Sequence, residues 1–297
     1  MLRRIKPLFS VFAIWAVGAV AAGESGSESL PFFAMDTAVQ DLSRIDMLEE
    51  LGYDGVGWRF ENYQQLSTSV ARIRESGLNL HAVYANSTLT QDGMGFRGDI
   101  DTRLEAIAGT GAVLWLAVKS SEFPPSDPAG DAVAVPELRR LAERAAKHGV
   151  RIALYPHAGA WIERHDDALR LARQVDRENF GISFNLAHAL RVGDEARIPA
   201  ILSDAGPLLF LVSLNGADRD AAGEAWDRLV RPLDEGDFDL AGLLRELGRV
   251  GYHGPVGLQA FGVSVPPREN LRRSIEAWRR LQADALLDNG AGAAAER

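Results

Sequence analysis

Arg151-Ile-Ala-Leu-Tyr-Pro-His157, Phe180-Gly-Ile-Ser-Phe-Asn-Leu-Ala-His188, Leu208-Leu-Phe-Leu-Val-Ser-Leu-Asn215 and Gly254-Pro-Val-Gly-Leu-Gln259 share one plan, a strand-length apolar run ending in polar side chains. Amphipathic helical stretches separate them, the rhythm of consecutive β/α units that feed a parallel sheet. Upstream, Pro31-Phe-Phe-Ala-Met-Asp36, Asp54-Gly-Val-Gly-Trp-Arg59, Asn79-Leu-His-Ala-Val-Tyr84 and Ala112-Val-Leu-Trp-Leu-Ala-Val118 extend the series. About eight units result, the number that closes a (β/α)8 TIM barrel. No Pro/Ser linker divides them, so a single α/β domain is expected over residues 31–284.

The helix expected from Pro136 to His148 has proline at its start and Gly149 after its end. Leu138, Leu141, Ala142 and Ala145 form its barrel-facing stripe, and Arg139, Arg140, Glu143, Arg144 and Lys147 its solvent side. Two segments following strands, Asn86–Asp101 and Lys119–Ala134, are long and rich in Gly and Pro. Loops of that length are often functional, and they are read as walls or lids over the strand ends, with plain insertions as the alternative.

At the amino terminus, Arg3, Arg4 and Lys6 precede an uncharged stretch and the small residues Ala19 to Ala22. This reads as a secretory signal peptide over residues 1–22, too short in its apolar part for a membrane span. A flexible lead-in over 23–30 and a disordered tail over 285–297 complete the expected organisation, and the expected location is secreted or periplasmic. The chain has no cysteine, which excludes a thiolate metal site and a cysteine nucleophile. Its net charge of −9 speaks against a nucleic-acid partner, since those binders carry a basic footprint. No stable membrane insertion is expected after the leader is removed.

Active sites of such barrels lie at the carboxyl ends of the strands. His188 and His157 are therefore the candidate catalytic residues, each able to serve as acid or base near neutral pH. Tyr155 lies beside His157. Asn185, Asn215 and Gln259 are amides at strand ends. Amides donate and accept, as sugar hydroxyls do, so a small carbohydrate is the expected ligand. Trp58 and Tyr84 offer ring surfaces, as does Trp161, while mid-strand Trp115 reads as core. Arg59, Glu61 and Lys119 complete the substrate-binding set, and Asp36 is either a site carboxylate or a helix cap. His81 reads as core, and His148, His165 and His253 as solvated.

The chain resembles the sugar phosphate isomerase/epimerase superfamily, the xylose-isomerase-like TIM barrels. The resemblance rests on Leu51-Gly-Tyr-Asp-Gly-Val-Gly-Trp58, Arg151–Ala158, Phe184-Asn-Leu-Ala-His188, Pro232-Leu-Asp-Glu-Gly-Asp-Phe-Asp239 and Gly251-Tyr-His-Gly-Pro-Val-Gly-Leu-Gln259. Metal-dependent members of that family carry a glutamate, an aspartate with a histidine three residues on, a histidine and a second glutamate at successive strand ends. Those positions fall on Tyr155, Asn185 with His188, Ser213 and Gln259, so only His188 is kept. The resemblance implies a carbohydrate isomerase or epimerase that moves a proton next to a sugar carbonyl; the altered positions make a divalent metal disfavoured and no cofactor expected, and the expected compartment and lack of a Gly-rich phosphate cradle point to a non-phosphorylated sugar. Two alternatives stand beside it: an inactive barrel that binds carbohydrate in the cell envelope, and an unusual metal centre of His157, His188 and Glu163.

Overall fold

The computed structural model describes residues 29–59, 66–223 and 225–295, with side chains of the last helix through Ala285. The leader at 1–22, most of the lead-in and Glu61 lie outside the described residues. Nine strands follow in chain order: β1 (Phe32–Met35), β2 (Gly55–Trp58), β3 (Asn79–Thr90), β4 (Gly93–Phe96), β5 (Val113–Ser120), β6 (Arg151–Leu154), β7 (Phe180–Asn185), β8 (Leu209–Leu214) and β9 (Val256–Leu258). Eight are parallel neighbours in the order β2-β1-β9-β8-β7-β6-β5-β3, and β2 pairs with β3 to close the ring. The structure is the expected TIM barrel, and a closed sheet leaves no edge among its eight strands.

Strands buried on both faces read as near-continuous apolar runs, and this is why the quoted stretches carry so few charges. Every residue of β7 and β8 is buried. Two apolar layers result. The larger lies between the sheet and the helices, and it includes Leu138, Leu141, Ala142 and Ala145, as expected. The smaller fills the barrel and contains Phe33, Met35, Trp115, Tyr155 and Phe210. Phe33 occupies the interior at a level where both neighbouring strands have glycine. A Cβ on Gly257 would stand 2.5 Å from the Phe33 ring, and one on Gly57 2.7 Å.

The helix that follows β5 begins earlier than expected. It runs Asp131–Ala146 with Pro136 inside it, because Ala134 and Val135 bury against the barrel. Pro136 is the sixth residue of this helix, past the four N–H groups that lack an intrahelical partner, so the helix gives up one i to i−4 hydrogen bond there. The first long segment is not a loose loop either. β3 continues to Thr90 and pairs antiparallel with β4. In the second, β5 reaches Ser120, a 3-10 turn spans Pro128–Gly130, and the Asp131 helix takes over.

The last helix, Pro267–Ala295, docks on the first strand. Trp278 stacks on Phe32 with ring centroids 4.3 Å apart, and the Tyr53 hydroxyl donates to the Leu271 carbonyl at 2.8 Å. The helix runs on through residues 285–295, where a disordered tail was expected; alanine, abundant there, is the best helix former. Among the described residues no helix is long and apolar enough to cross a membrane.

The fit of Phe33 between two glycines yields a test. Gly257→Val should destabilise the fold by roughly 1–3 kcal/mol through overpacking, and by much less in a Phe33→Ala background, where the ring is gone. Denaturant unfolding of the four proteins of this cycle measures the coupling.

Candidate active site

The carboxyl ends of the strands surround one cavity of about 320 Å³. Met35 ends β1, Asp36 and Thr37 follow it, Arg59 follows β2, Tyr84 and Trp115 come from β3 and β5, and Gln259 and Phe261 follow β9. Tyr155, His157 and His188 line the same space, with Trp226 beside them. Trp115 is thus both core, at 1% exposure, and cavity wall. It stacks on Tyr155 with centroids 3.9 Å apart, and its Nε1 donates to Ser183 Oγ at 2.7 Å.

Beneath these rings lies a hydrogen-bond network centred on Asn185, which is fully buried. Its position at the end of β7 makes it the cap of the helix Leu186–Arg191, and Oδ1 accepts from the His188 N–H at 3.0 Å. This fixes the amide's orientation, so Nδ2 faces the barrel. Nδ2 donates to Ser213 Oγ at 2.6 Å and to Tyr155 Oη at 3.3 Å. The cap also projects His188 inward, where Nδ1 accepts from the Ala158 N–H at 3.2 Å. With that lone pair engaged, the ring's proton sits on Nε2, which donates to Tyr155 Oη at 2.9 Å. Both nitrogens of His188 are therefore held by the protein.

His157 is arranged differently. Its Nδ1 lies 3.0 Å from the Ala158 carbonyl, which can only accept, so Nδ1 carries the proton and Nε2 a lone pair. The two imidazoles lie 4.1 Å apart between centroids, tilted by 37°. Burial holds His157 below the usual histidine range, and the Lys119 charge pushes the same way against the stabilising Ala158 carbonyl. Burial depresses His188 much further, with smaller contributions from His157 and His165. Tyr155 goes the opposite way. Burial raises it well above the ordinary tyrosine value, Tyr84 and Asp36 add to the rise, and the nearby Gln259 side chain opposes it.

The structure brings together His188, His157, Tyr155, Gln259, Tyr84 and Arg59 on the cavity, with Asn185 directly behind them. Asp36 lines it too and pairs with Arg59 at 3.3 Å. Other expected positions fall elsewhere. Asn215 is buried and spends its amide on the Gly216 and Leu229 carbonyls, both at 2.7 Å. Trp58 packs against the helix-side core, and Lys119 is exposed outside the lining, acting on His157 only through its charge. Trp161 is buried, with Nε1 donating to the Asp127 carbonyl at 2.9 Å. No lining residue belongs to 86–101 or 119–134, so neither segment forms a lid.

His165 also departs from expectation. It is 1% exposed, stacks on Phe184, and its Nε2 accepts from the Asn185 N–H at 3.3 Å. Its helix turns it inward because His165, Ala168, Leu169 and Ala172 form one apolar stripe. The sequence reading passed over Trp226, whose ring meets His188 edge-on at 5.3 Å. It stands on the short helix Trp226–Leu229, far from any strand end, and only its size marks it out.

A family model described as the xylose isomerase-like TIM barrel matches residues 45–281. The chain belongs to this family. It is 34% identical over 156 residues to 3-dehydroshikimate dehydratase of Pseudomonas aeruginosa, a match covering 49% of this chain and 24% of that one. It is 27% identical over 180 residues to ketose 3-epimerase of Arthrobacter globiformis, covering 58% and 55%. The chain thus spans about a quarter of the first relative's length and about half of the second's. Among solved structures, 3-keto-D-glucoside 4-epimerase from E. coli superposes with a TM-score of 0.67 at 19% identity, covering 85% of this chain and all of that one.

The xylose isomerase-like resemblance implies a divalent metal at the strand ends, and the donors present do not fit one. The positions hold a buried phenol, two amides, a serine and His188, whose nitrogens are both engaged. Neutral groups of this kind are weak ligands for a hard dication. Among the described residues no three His, Cys, Asp or Glu side chains gather as a ligand set. Glu163 is turned to the Gly159 N–H at 2.9 Å.

Buried histidines give the fold a defined response to acid. Burial lowers His165 and His81 to about 4. From about pH 6.5 down to 4 the unfolded chain takes up protons that the folded chain refuses, so stability is full above the window and falls as pH drops through it. Each of the two contributes a slope of roughly 1 kcal/mol per pH unit. Thermal unfolding followed across this range should show that loss, and His165→Gln should flatten it.

Proposed function

We propose that the protein is an enzyme that moves a proton on the carbon next to the carbonyl of a non-phosphorylated sugar, with His157 as the base and no divalent metal. The observation that carries this reading is the His157 tautomer. The Ala158 carbonyl holds the proton on Nδ1, burial keeps the ring neutral, and Nε2 remains available as a base on a ring that lines the cavity. His188 has no nitrogen to spare, so its part is to hold Tyr155.

The cavity suits a polyhydroxylated ring. Tyr84, Trp115, Tyr155 and Trp226 give apolar faces, while Gln259, Thr37 and the Asp36–Arg59 pair give hydrogen-bonding groups toward hydroxyls. A ketose and a keto-glucoside appear in the names of two relatives, and both carry the carbonyl that the reaction needs. The sequence offers no glycine-rich phosphate cradle, which supports a substrate without phosphate. The leader-like start supports a setting outside the cytoplasm, where such sugars are met.

Exchange of substrate protons with solvent tests the reading. In deuterated buffer, a panel of non-phosphorylated ketoses followed by proton NMR should lose the signal next to the carbonyl for one or more members. His157→Gln should slow this exchange by about 10²- to 10⁴-fold, the usual contribution of a general base. Exhaustive chelation should leave the rate unchanged, and a rate restored only by added metal would overturn the metal-free part. A thermal shift with a sugar, without any exchange, would favour the barrel that only binds.

A further inference from the structure

We infer that the Tyr155 hydroxyl is the acid of the site, donating its proton to the substrate's carbonyl oxygen; this rests on the proton-transfer reading above. The inference comes from accounting for donors around one oxygen. His188 Nε2–H reaches Tyr155 Oη at 2.9 Å and Asn185 Nδ2–H at 3.3 Å. Neither can be reversed. The Ala158 N–H occupies the other histidine lone pair, and the helix cap fixes which end of the Asn185 amide points inward.

Nearby, Gln259 Oε1 already accepts from Thr37 Oγ1 at 2.7 Å and from the Ala260 N–H at 3.1 Å, so it offers the phenol proton no lone pair. Every protein group that meets this oxygen is thus a donor. A hydroxyl has one proton to give and two lone pairs to receive with. Both lone pairs of Tyr155 are taken, and among the described residues its own proton has no acceptor. Tyr155 lines the cavity, and the stacked Trp115 ring holds the phenol's plane. The proton is aimed at whatever the cavity holds.

The same donors suit the phenolate that follows. The C–H bond next to the carbonyl breaks, its proton passes to His157 Nε2, and its electron pair forms the C=C bond of an enol. The carbonyl π pair moves to oxygen, which takes the Tyr155 proton. The phenolate left behind sits against the N–H groups of His188 and Asn185, fixed before the reaction starts. In the second half the His157 Nε2–H proton passes to the other carbon of the enediol, the C=C pair forming the new C–H bond, and an enol O–H gives its proton back to the Tyr155 phenolate as the C=O bond re-forms, so both residues regain their starting states.

Two ligands separate this role from packing. Threonohydroxamate presents an oxyanion in the manner of an enediolate, while threitol offers hydroxyls alone. Tyr155→Phe should weaken threonohydroxamate binding by roughly 10- to 100-fold, the range for a hydrogen bond to a charged group, and threitol binding by less than about threefold. Deuterium exchange should fall alongside the hydroxamate affinity. Because the variant strands buried donors, the wild type supplies an independent reading: with tyrosine labelled by carbon-13 at Cζ, threonohydroxamate should shift the Tyr155 resonance. Equal loss for the two ligands, or no shift in the wild type on binding, overturns the assignment. If the wild type binds no hydroxamate and exchanges no ketose proton, the proton-transfer reading itself fails and takes this inference with it. If the wild type does both and Tyr155→Phe matches it, the Tyr155 role alone is wrong.

Discussion

The side chain of Asn185 is the constraint on which the site depends. One buried amide joins a helix cap to the ends of three strands: its oxygen holds the His188 N–H, and its nitrogen holds Ser213 on β8 and Tyr155 just beyond β6. A group with all its hydrogen bonds placed cannot rotate without leaving some of them unmade in a low-dielectric interior, which costs about 1–3 kcal/mol for each. The orientation of the amide is in that sense the orientation of the site. His165 supports it from behind through the Asn185 backbone N–H.

This arrangement also explains why a family position that elsewhere holds charge can hold neutral groups here. A buried carboxylate without a metal or cation partner is costly, whereas amide, phenol, serine and imidazole satisfy one another in a closed set. The chemistry available changes with them. In the proposed reaction, charge develops within this neutral set only when a proton moves, next to donors that already face the Tyr155 oxygen.

The barrel could be read from the sequence because burial on both faces forces long apolar runs, and the polar residues that end those runs fall where the cavity of such a barrel opens. The same logic pointed to Tyr155, His157, His188 and Gln259, which line the cavity. It failed for Asn215, which has the same strand-end position but satisfies two carbonyls instead, and for Trp58, whose ring turns to the helix layer. Side-chain direction at a strand end changes with a single residue of register, and β7 and β8 shift register against each other near Ile182. His165 was misjudged because a histidine in a polar-looking helix start does not show which face its helix buries. The reading of the long segments as lids failed because β3 could continue through Ala85, Ser87 and Leu89, each buried, a continuation that the glycines downstream obscured.

The docking of the final helix on the first strand bears on how the chain reaches this structure. Phe32 packs on Trp278, the Leu30 N–H donates to Gln282 at a separation of 252 residues, and β1 pairs with β9. Contacts so distant in sequence form late, since the intervening loop must close first. Emerging from the ribosome, β1 therefore lacks its β9 and Trp278 partners until residues 256–282 are made. The barrel is completed by its last segment, and a chain arrested before that point exposes both the open strand edge and the apolar surface that invite association with other chains.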